Sequence, residues 1–200
     1  MKKNRISCSI TAGGSILNKN APEILVFAGP NGSGKSTVTA GFDVIGEYIN
    51  ADDIKRNKQC TDLEAAQIAT ELREWFLDKG QSFTFETVLS SDRNIELLEK
   101  AKKKGFRIFA VFVLTSDVEI NVARVRDRVR KGGHDVPEEK IRTRYYKSLN
   151  NVSRLASIVD VMKVIDNSGD TAKLIIDIEN GFVSFYENNV WTFEKLHKLI

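Results

Sequence analysis

Ile24-Leu25-Val26-Phe27-Ala28-Gly29-Pro30-Asn31-Gly32-Ser33-Gly34-Lys35-Ser36-Thr37 passes from an apolar run through a glycine-rich turn into Lys-Ser-Thr. Positions 29–36 fit G-x-x-x-x-G-K-[ST], the spacing of a phosphate-binding P-loop. Glycines allow a tight turn with no Cβ in the way, so successive backbone N–H groups can face inward around phosphate oxygens. A helix opening near Gly34 would add the positive end of its dipole. Lys35 is expected to reach the β and γ phosphates, and the Ser36 hydroxyl to ligate Mg²⁺. The spacing alone recurs by chance, but here a strand-like run precedes it. The whole stretch from Gly29 to Thr37 therefore reads as a nucleotide-phosphate site.

Around that stretch the chain has the size of one α/β domain, with 200 residues and a hydrophobic share of 42%. Its net charge of +3 is too small to call for nucleic acid. Cys8 and Cys60 stand apart and form no C-x-x-C pattern, which fits a reducing, cytoplasmic setting rather than a disulfide framework or zinc site. No apolar run has the roughly 18 residues that a membrane span needs. Residues 1–22 read as an N-terminal arm, 23–168 as the P-loop domain, and 169–200 as a hairpin and tail packed on it.

The P-loop is followed by a helix and then a short strand, Tyr48-Ile49-Asn50-Ala51-Asp52-Asp53, ending in two carboxylates. Thr61-Asp62-Leu63-Glu64 is a capping box. The helix it opens places Ala65, Ile68, Leu72 and Trp75-Phe76 on an expected buried face and stops at Lys79-Gly80. Ser82 to Phe85 reads as a strand ending at Glu86-Thr87. A helix over Asp92 to Lys104 buries Ile95, Leu98 and Ala101; its Lys100 and Lys102-Lys103-Lys104 read as a solvated last turn. Phe106 to Leu114 is continuously apolar, as a strand buried on both faces would be. Ser116-Asp117-Val118-Glu119 reads as a second capping box, opening a helix with Val118, Val122, Val125 and Val129 on one side. Pro137 suits a first helical position, and its helix is expected to run through Ile141, Tyr145, Leu149 and Val152. Asp160 to Ile165 is a further strand, ending at Asp166-Asn167-Ser168. Asn180-Gly181 between two apolar runs signals a β-hairpin.

Alternating strands and helices predict a P-loop NTPase-type, doubly wound parallel sheet of about five strands with helices on both faces, plus the C-terminal hairpin. Ligands bind such sheets beyond the carboxyl ends of the strands. The P-loop, Asp52-Asp53, Glu86-Thr87 and Asp166-Asn167-Ser168 would all converge there. The strand Phe106–Leu114 does not end in a carboxylate, so the usual second nucleotide motif is missing at that place. The carboxylates after the second strand suit a small-molecule kinase, with Asp52 the candidate base and Asp53 the alternative cap of the next segment. Residues 124–144 have the layout of a lid: Arg124, Arg126, Arg128 and Arg130, then Lys131-Gly132-Gly133-His134-Asp135, then Arg142 and Arg144. Guanidinium forks suit phosphate oxygens, and Arg128 and Arg142, then Arg144, are the first choices for it. His134 is expected to order its turn by hydrogen bonding.

GPNGSGKST, INADDI, FTFETVLS, RVRDRVRKGGHDVPEEKIRTRYYKSL and IDNS, in that order, resemble the zeta-toxin-like P-loop kinases, across roughly Ile24 to Ser168. The resemblance implies ATP and Mg²⁺, and a hydroxyl acceptor such as a UDP-amino sugar, for instance UDP-N-acetylglucosamine. It implies Asp52 as catalytic base, Glu86 and nearby Thr87 on the acceptor, and Asn167 in the adenine-side loop. A small helical antitoxin is the partner such proteins have. This chain departs from the best-known branch: Glu86-Thr87-Val88-Leu89-Ser90 lacks the arginine that ends that branch's E-G-T-L-R, and its Gly-Gly-His-Asp-Val-Pro lid belongs to a divergent branch. Two other readings stay open, a nucleic-acid end kinase and a nucleotide-binding regulatory protein without turnover.

Overall fold

A computed structural model describes residues 21–200. The expected N-terminal arm, apart from its last two residues, lies outside the described residues, as does Cys8. Seven strands form one sheet: β1 (Glu23–Ala28), β2 (Glu47–Ile49), β3 (Phe83–Thr87), β4 (Arg107–Leu114), β5 (Val161–Asp166), β6 (Lys173–Glu179) and β7 (Phe182–Phe185). Their order is β2-β3-β1-β4-β5-β6-β7. The first five run parallel, and β6 joins β5 antiparallel. The hairpin therefore does not sit beside the sheet but extends it. Its turn uses Asn180 at φ 50° and Gly181 at φ 82°, the paired positive angles of the tight turn that suits strand twist.

Alternation along the strands sends successive side chains to opposite faces, and both faces are buried. One face carries Ile24, Val26, Phe83, Phe85, Ile108, Phe112 and Val164 under four helices: α3 (Asp62–Asp78), α4 (Asp92–Lys103), α7 (Val152–Ile158) and α8 (Phe193–His197). The other carries Leu25, Phe27, Phe109, Val111 and Val113. It is covered more thinly, by Val38 of the five-residue α1 (Lys35–Thr39) and by Phe42, Ile45 and Tyr48. A third, small core of Val122, Val125, Val136 and Ile141 joins α5 (Val118–Arg130) to α6 (Glu138–Asn150).

Several local expectations are corrected. The strand before Asp52 ends at Ile49; Asn50 caps α2 (Ala51–Lys58) by accepting from the Asp52 N–H, so both aspartates lie in the first helical turn. The buried row of α3 is Ala65, Ala69, Arg73 and Leu77, whereas Leu72 and Trp75 are exposed. Trp75 stays outside, its ring edge-to-face with that of Phe76. The Thr61 capping box is complete, but α5 is capped by Asp117, not Ser116. The helix from Pro137 breaks at Asn151, whose side-chain amide donates to the Leu89 carbonyl at 3.0 Å. The lysines at the end of α4 are exposed, as expected of a solvated last turn, and they form surface ion pairs. Lys100, Lys102 and Lys104 pair with Glu74, Asp160 and Asp78.

Thr84, fully buried on β3, holds the segment before β2 from within. Its hydroxyl accepts from Ile45 N–H at 2.7 Å and donates to Ile45 C=O at 2.8 Å. Thr84→Val keeps the shape and strands both backbone groups. Urea denaturation is expected to show a loss of about 1–3 kcal/mol with an unchanged slope.

Candidate functional site

The sheet's strand order creates the site. β1 lies between β3 and β4: the chain runs from β1 out to β2 and back to β3 on one side, then crosses β1 to β4 on the other. At that switch the carboxyl ends of the strands leave a crevice of about 1010 Å³. The P-loop turns over the end of β1. Gly29 has φ 139°, and a Cβ there would stand 2.0 Å from the Val113 carbonyl oxygen of β4. A Cβ on Gly32 would stand 2.5 Å from the Asn121 carbonyl oxygen of α5. Backbone approach, as well as turn geometry, therefore demands glycine at both places.

Side chains from distant elements hold the loop open. Asn121, fully buried, donates from Nδ2 to the Asn31 carbonyl at 2.6 Å. Asn167, just past β5, donates to the Ser33 carbonyl at 2.8 Å. Arg124 reaches the same Ser33 carbonyl and that of Ser168, each at 3.5 Å. These contacts occupy the Asn31 and Ser33 carbonyls with protein donors, and the Ser33 N–H donates to the Pro30 carbonyl at 3.2 Å.

Lys35 is buried beneath this loop and donates from Nζ to the Gly29 and Pro30 carbonyls at 2.8 and 3.3 Å. Its Nζ lies 3.9 Å from Glu86 Oε1. The parallel register sets that pair: Glu86 on β3 is opposite Phe27 on β1, two residues before Gly29. Burial pulls the Lys35 pKa below its ordinary value, and the charges of Glu86 and then Asp52 push back the other way. The other Glu86 oxygen accepts from Tyr48 OH at 3.1 Å, and Asn50 Nδ2 donates to the same phenol at 3.3 Å. Burial, and next the Glu86 charge, push the Tyr48 phenol up to about 12.

Asp52 is exposed on the crevice wall, near enough to Lys35 for its charge to be felt there. Asp53 is outside the lining and pairs with Arg56 at 3.1 Å. Ser36, Thr37, Glu86 and Thr87 also line the crevice. The Thr87 oxygen accepts from Leu89 N–H at 2.9 Å and from Asn94 Nδ2 at 2.7 Å, so it holds the turn after β3 as well.

On the lid side, Arg124, Arg128 and Arg144 line the crevice and Arg142 does not. Arg142 is held by Glu119 of α5 and by Glu138 one turn before it on α6. Those two carboxylates raise its pKa further and tie the two helices together. The choice of Arg142 as a phosphate contact is thus corrected, since its guanidinium is already engaged. Arg128 lies beneath the glycine turn, where Gly133 N–H donates to the Arg128 carbonyl at 2.9 Å. His134 faces the crevice, with Asp62 close enough to feel its charge, and it makes no hydrogen bond in its turn; the ordering there comes from backbone bonds at Gly132 and Gly133.

Residues that sequence reasoning passed over also belong to the wall. Asn50 lines the crevice as the cap of α2, and Tyr48 of β2 stands behind it, donating to Glu86. Arg73 interrupts a buried row of alanines and leucine on α3, a charge where apolar spacing predicts none. Arg93 and Asn94 carry no such signal.

The zeta toxin family model matches residues 43–179, from just before β2 to the end of β6. An uncharacterized protein of Haemophilus influenzae is 32% identical over 127 residues, covering 60% of this chain and 91% of that protein. Among solved structures, the AvrRxo1-ORF1:-ORF2 complex with ATP contains a chain with TM-score 0.65 and 14% identity, over 82% of this chain. This chain spans 60% of that one's length. A chain of the PezAT chromosomal toxin–antitoxin system of Streptococcus pneumoniae has TM-score 0.54 and 15% identity, over 82% of this chain and 75% of its own. At such identities the structures share the fold.

Lys35→Met tests the electrostatics of the loop. The folded state disfavours the charged amine, so the cost of burying it is fully present below the folded pKa and fades as pH rises toward the ordinary value of 10.5. Lys35→Met removes that cost but leaves the Gly29 and Pro30 carbonyls and Glu86 without their donor, so the pH dependence is the readout: calorimetry is expected to show wild type gaining thermal stability relative to the variant as pH climbs toward 10.5.

Proposed function

The chain belongs to the zeta toxin family, and from that premise we propose that it transfers the γ-phosphoryl group of ATP to a hydroxyl of a small acceptor. One observation carries this reading: a buried P-loop lysine and an unpaired, exposed carboxylate, Asp52, share one crevice. Phosphoryl transfer asks the protein for positioning and charge rather than covalent chemistry.

In this reading, residues 29–37 hold the triphosphate and Asn167 stands on the adenine side. Lys35 neutralises charge on the β and γ phosphates. The Asp52 carboxylate accepts the acceptor's hydroxyl proton as the new O–P bond forms and the bond to ADP breaks. Arg128 and Arg144 supply cations above the migrating group, Arg144 taking the place first assigned to Arg142. Glu86, fixed by Lys35 and Tyr48, orients the acceptor with Thr87. The oxygen donors here suit Mg²⁺, which takes few protein ligands and shares phosphate oxygens; among the described residues no cluster of three His, Cys, Asp or Glu offers a complete cage. Ser36 would hold it, and when bound it neutralises phosphate charge. A UDP-amino sugar is a candidate acceptor by family likeness. A small antitoxin is a candidate partner, since the PezAT neighbour comes from a toxin–antitoxin system. Among the described residues no helix is long and apolar enough to cross a membrane.

γ-Labelled ATP incubated with a metabolite extract tests the reading. Asp52→Asn is expected to lower label transfer about 10²–10⁴-fold, while Asp53→Asn, which removes only the pair with Arg56, leaves it near wild type. Equal transfer by wild type and Asp52→Asn would refute the role of Asp52.

A further inference from the structure

The buried row of α6 is Ile141, Tyr145 and Ser148, the spacing of one helical face. Ile141 packs in the lid core. The other two carry hydroxyls where an apolar side chain would need no partner. Each hydroxyl is used on one carbonyl, and the two carbonyls belong to different loops. Tyr145 donates to the Thr115 carbonyl, just past β4, at 2.6 Å. Ser148 donates to the Val88 carbonyl, just past β3, at 2.7 Å. β1, which leads into the P-loop, runs between those two strands. One helix therefore grips the chain beyond both neighbours of the P-loop strand.

From Thr115 the contact continues into the P-loop. The Asn121 amide turns Nδ2 to the Asn31 carbonyl, 2.6 Å away, so its Oδ1 faces Thr115. The Thr115 hydroxyl donates to that oxygen, and its single proton is then not shared with the Asp117 carbonyl 3.1 Å off. Tyr145, Thr115 and Asn121, all buried, form one line from the lid helix to Asn31. On the other side Ser148 and Asn151 hold consecutive carbonyls, those of Val88 and Leu89. Leu89 is buried at φ 56°, a left-handed backbone that a bulky side chain rarely takes. Such a conformation persists only where its surroundings fix it. Asn31 and Val88, where the two lines end, both line the crevice.

We infer that α6 is the frame that aligns the two substrates. Tyr145 is a positioning residue for the nucleotide loop, and Ser148 is one for the segment after Glu86 on the acceptor side. Each acts through a loop carbonyl. The inference rests on the phosphotransfer reading and adds how the two halves of that site are set.

A crossed experiment separates the two arms. Tyr145→Phe removes one hydroxyl and keeps the ring. It is expected to weaken binding of a non-hydrolysable ATP analogue with Mg²⁺, measured by titration calorimetry, about three- to tenfold, the size of one lost hydrogen bond. At saturating γ-labelled ATP, the amount of metabolite extract giving half-maximal label transfer should not change. Ser148→Ala should do the reverse, raising that amount about three- to tenfold and leaving analogue affinity alone. A hydroxyl that only stabilises the fold would move neither quantity, or both alike, and either result overturns the frame. Hydrogen–deuterium exchange reads the same division with no ligand. Amides of residues 29–36 should exchange faster in Tyr145→Phe only, and those of 87–91 in Ser148→Ala only. If wild type binds no analogue or labels nothing in the extract, the phosphotransfer reading fails, and the exchange pattern then decides the frame by itself.

Discussion

A positive charge kept out of water at the end of β1 governs this molecule. Lys35 is buried beneath its own loop, satisfied by two carbonyls, with a carboxylate 3.9 Å away. Water would solvate that ammonium better, which is why its pKa falls. The fold tolerates the cost because β3 lies against β1 in a register that puts Glu86 beside it. A one-residue slip would turn Glu86 to the other face and leave the ammonium without its counter-charge.

The surrounding polar groups follow from the same constraint. Glu86 in turn is held by Tyr48, and Tyr48 by Asn50, which also caps α2 and so fixes where Asp52 begins. Tyr48 and Asn50 thus join Glu86 to the backbone of the candidate base by hydrogen bonds, and the 3.9 Å ion pair joins Glu86 to the lysine. On the other side Asn121, Arg124 and Asn167 clasp the loop's carbonyls from α5 and the segment after β5.

The lid is built on a different principle. Its two helices share a core of four aliphatic residues and the Arg142 clasp to Glu119 and Glu138. Arg128 and Arg144 are left facing the crevice. Charge is thus divided by function along the same arginine-rich stretch. One guanidinium joins the helices, and others face the place where phosphate would lie. Spacing alone cannot make that division, because four-residue intervals put several arginines on one face and do not say which finds a carboxylate.

The residues by themselves determined the P-loop, the alternation of strands and helices, the doubly buried strand β4, the Thr61 cap and the Asn180-Gly181 hairpin. Each depends on local backbone preference or on a period that neighbours in sequence carry. They also pointed to Asp52, Glu86 and Asn167, because the carboxyl ends of parallel strands meet at one edge. Tertiary structure alone decided that the hairpin extends the sheet, that α3 buries its alanine row rather than its tryptophan, and that Arg142 is engaged elsewhere. It alone put Arg73 and Arg93 on the crevice wall. Those outcomes turn on which surface lies opposite and what charge it bears, and partners distant in the chain leave no periodic trace in it.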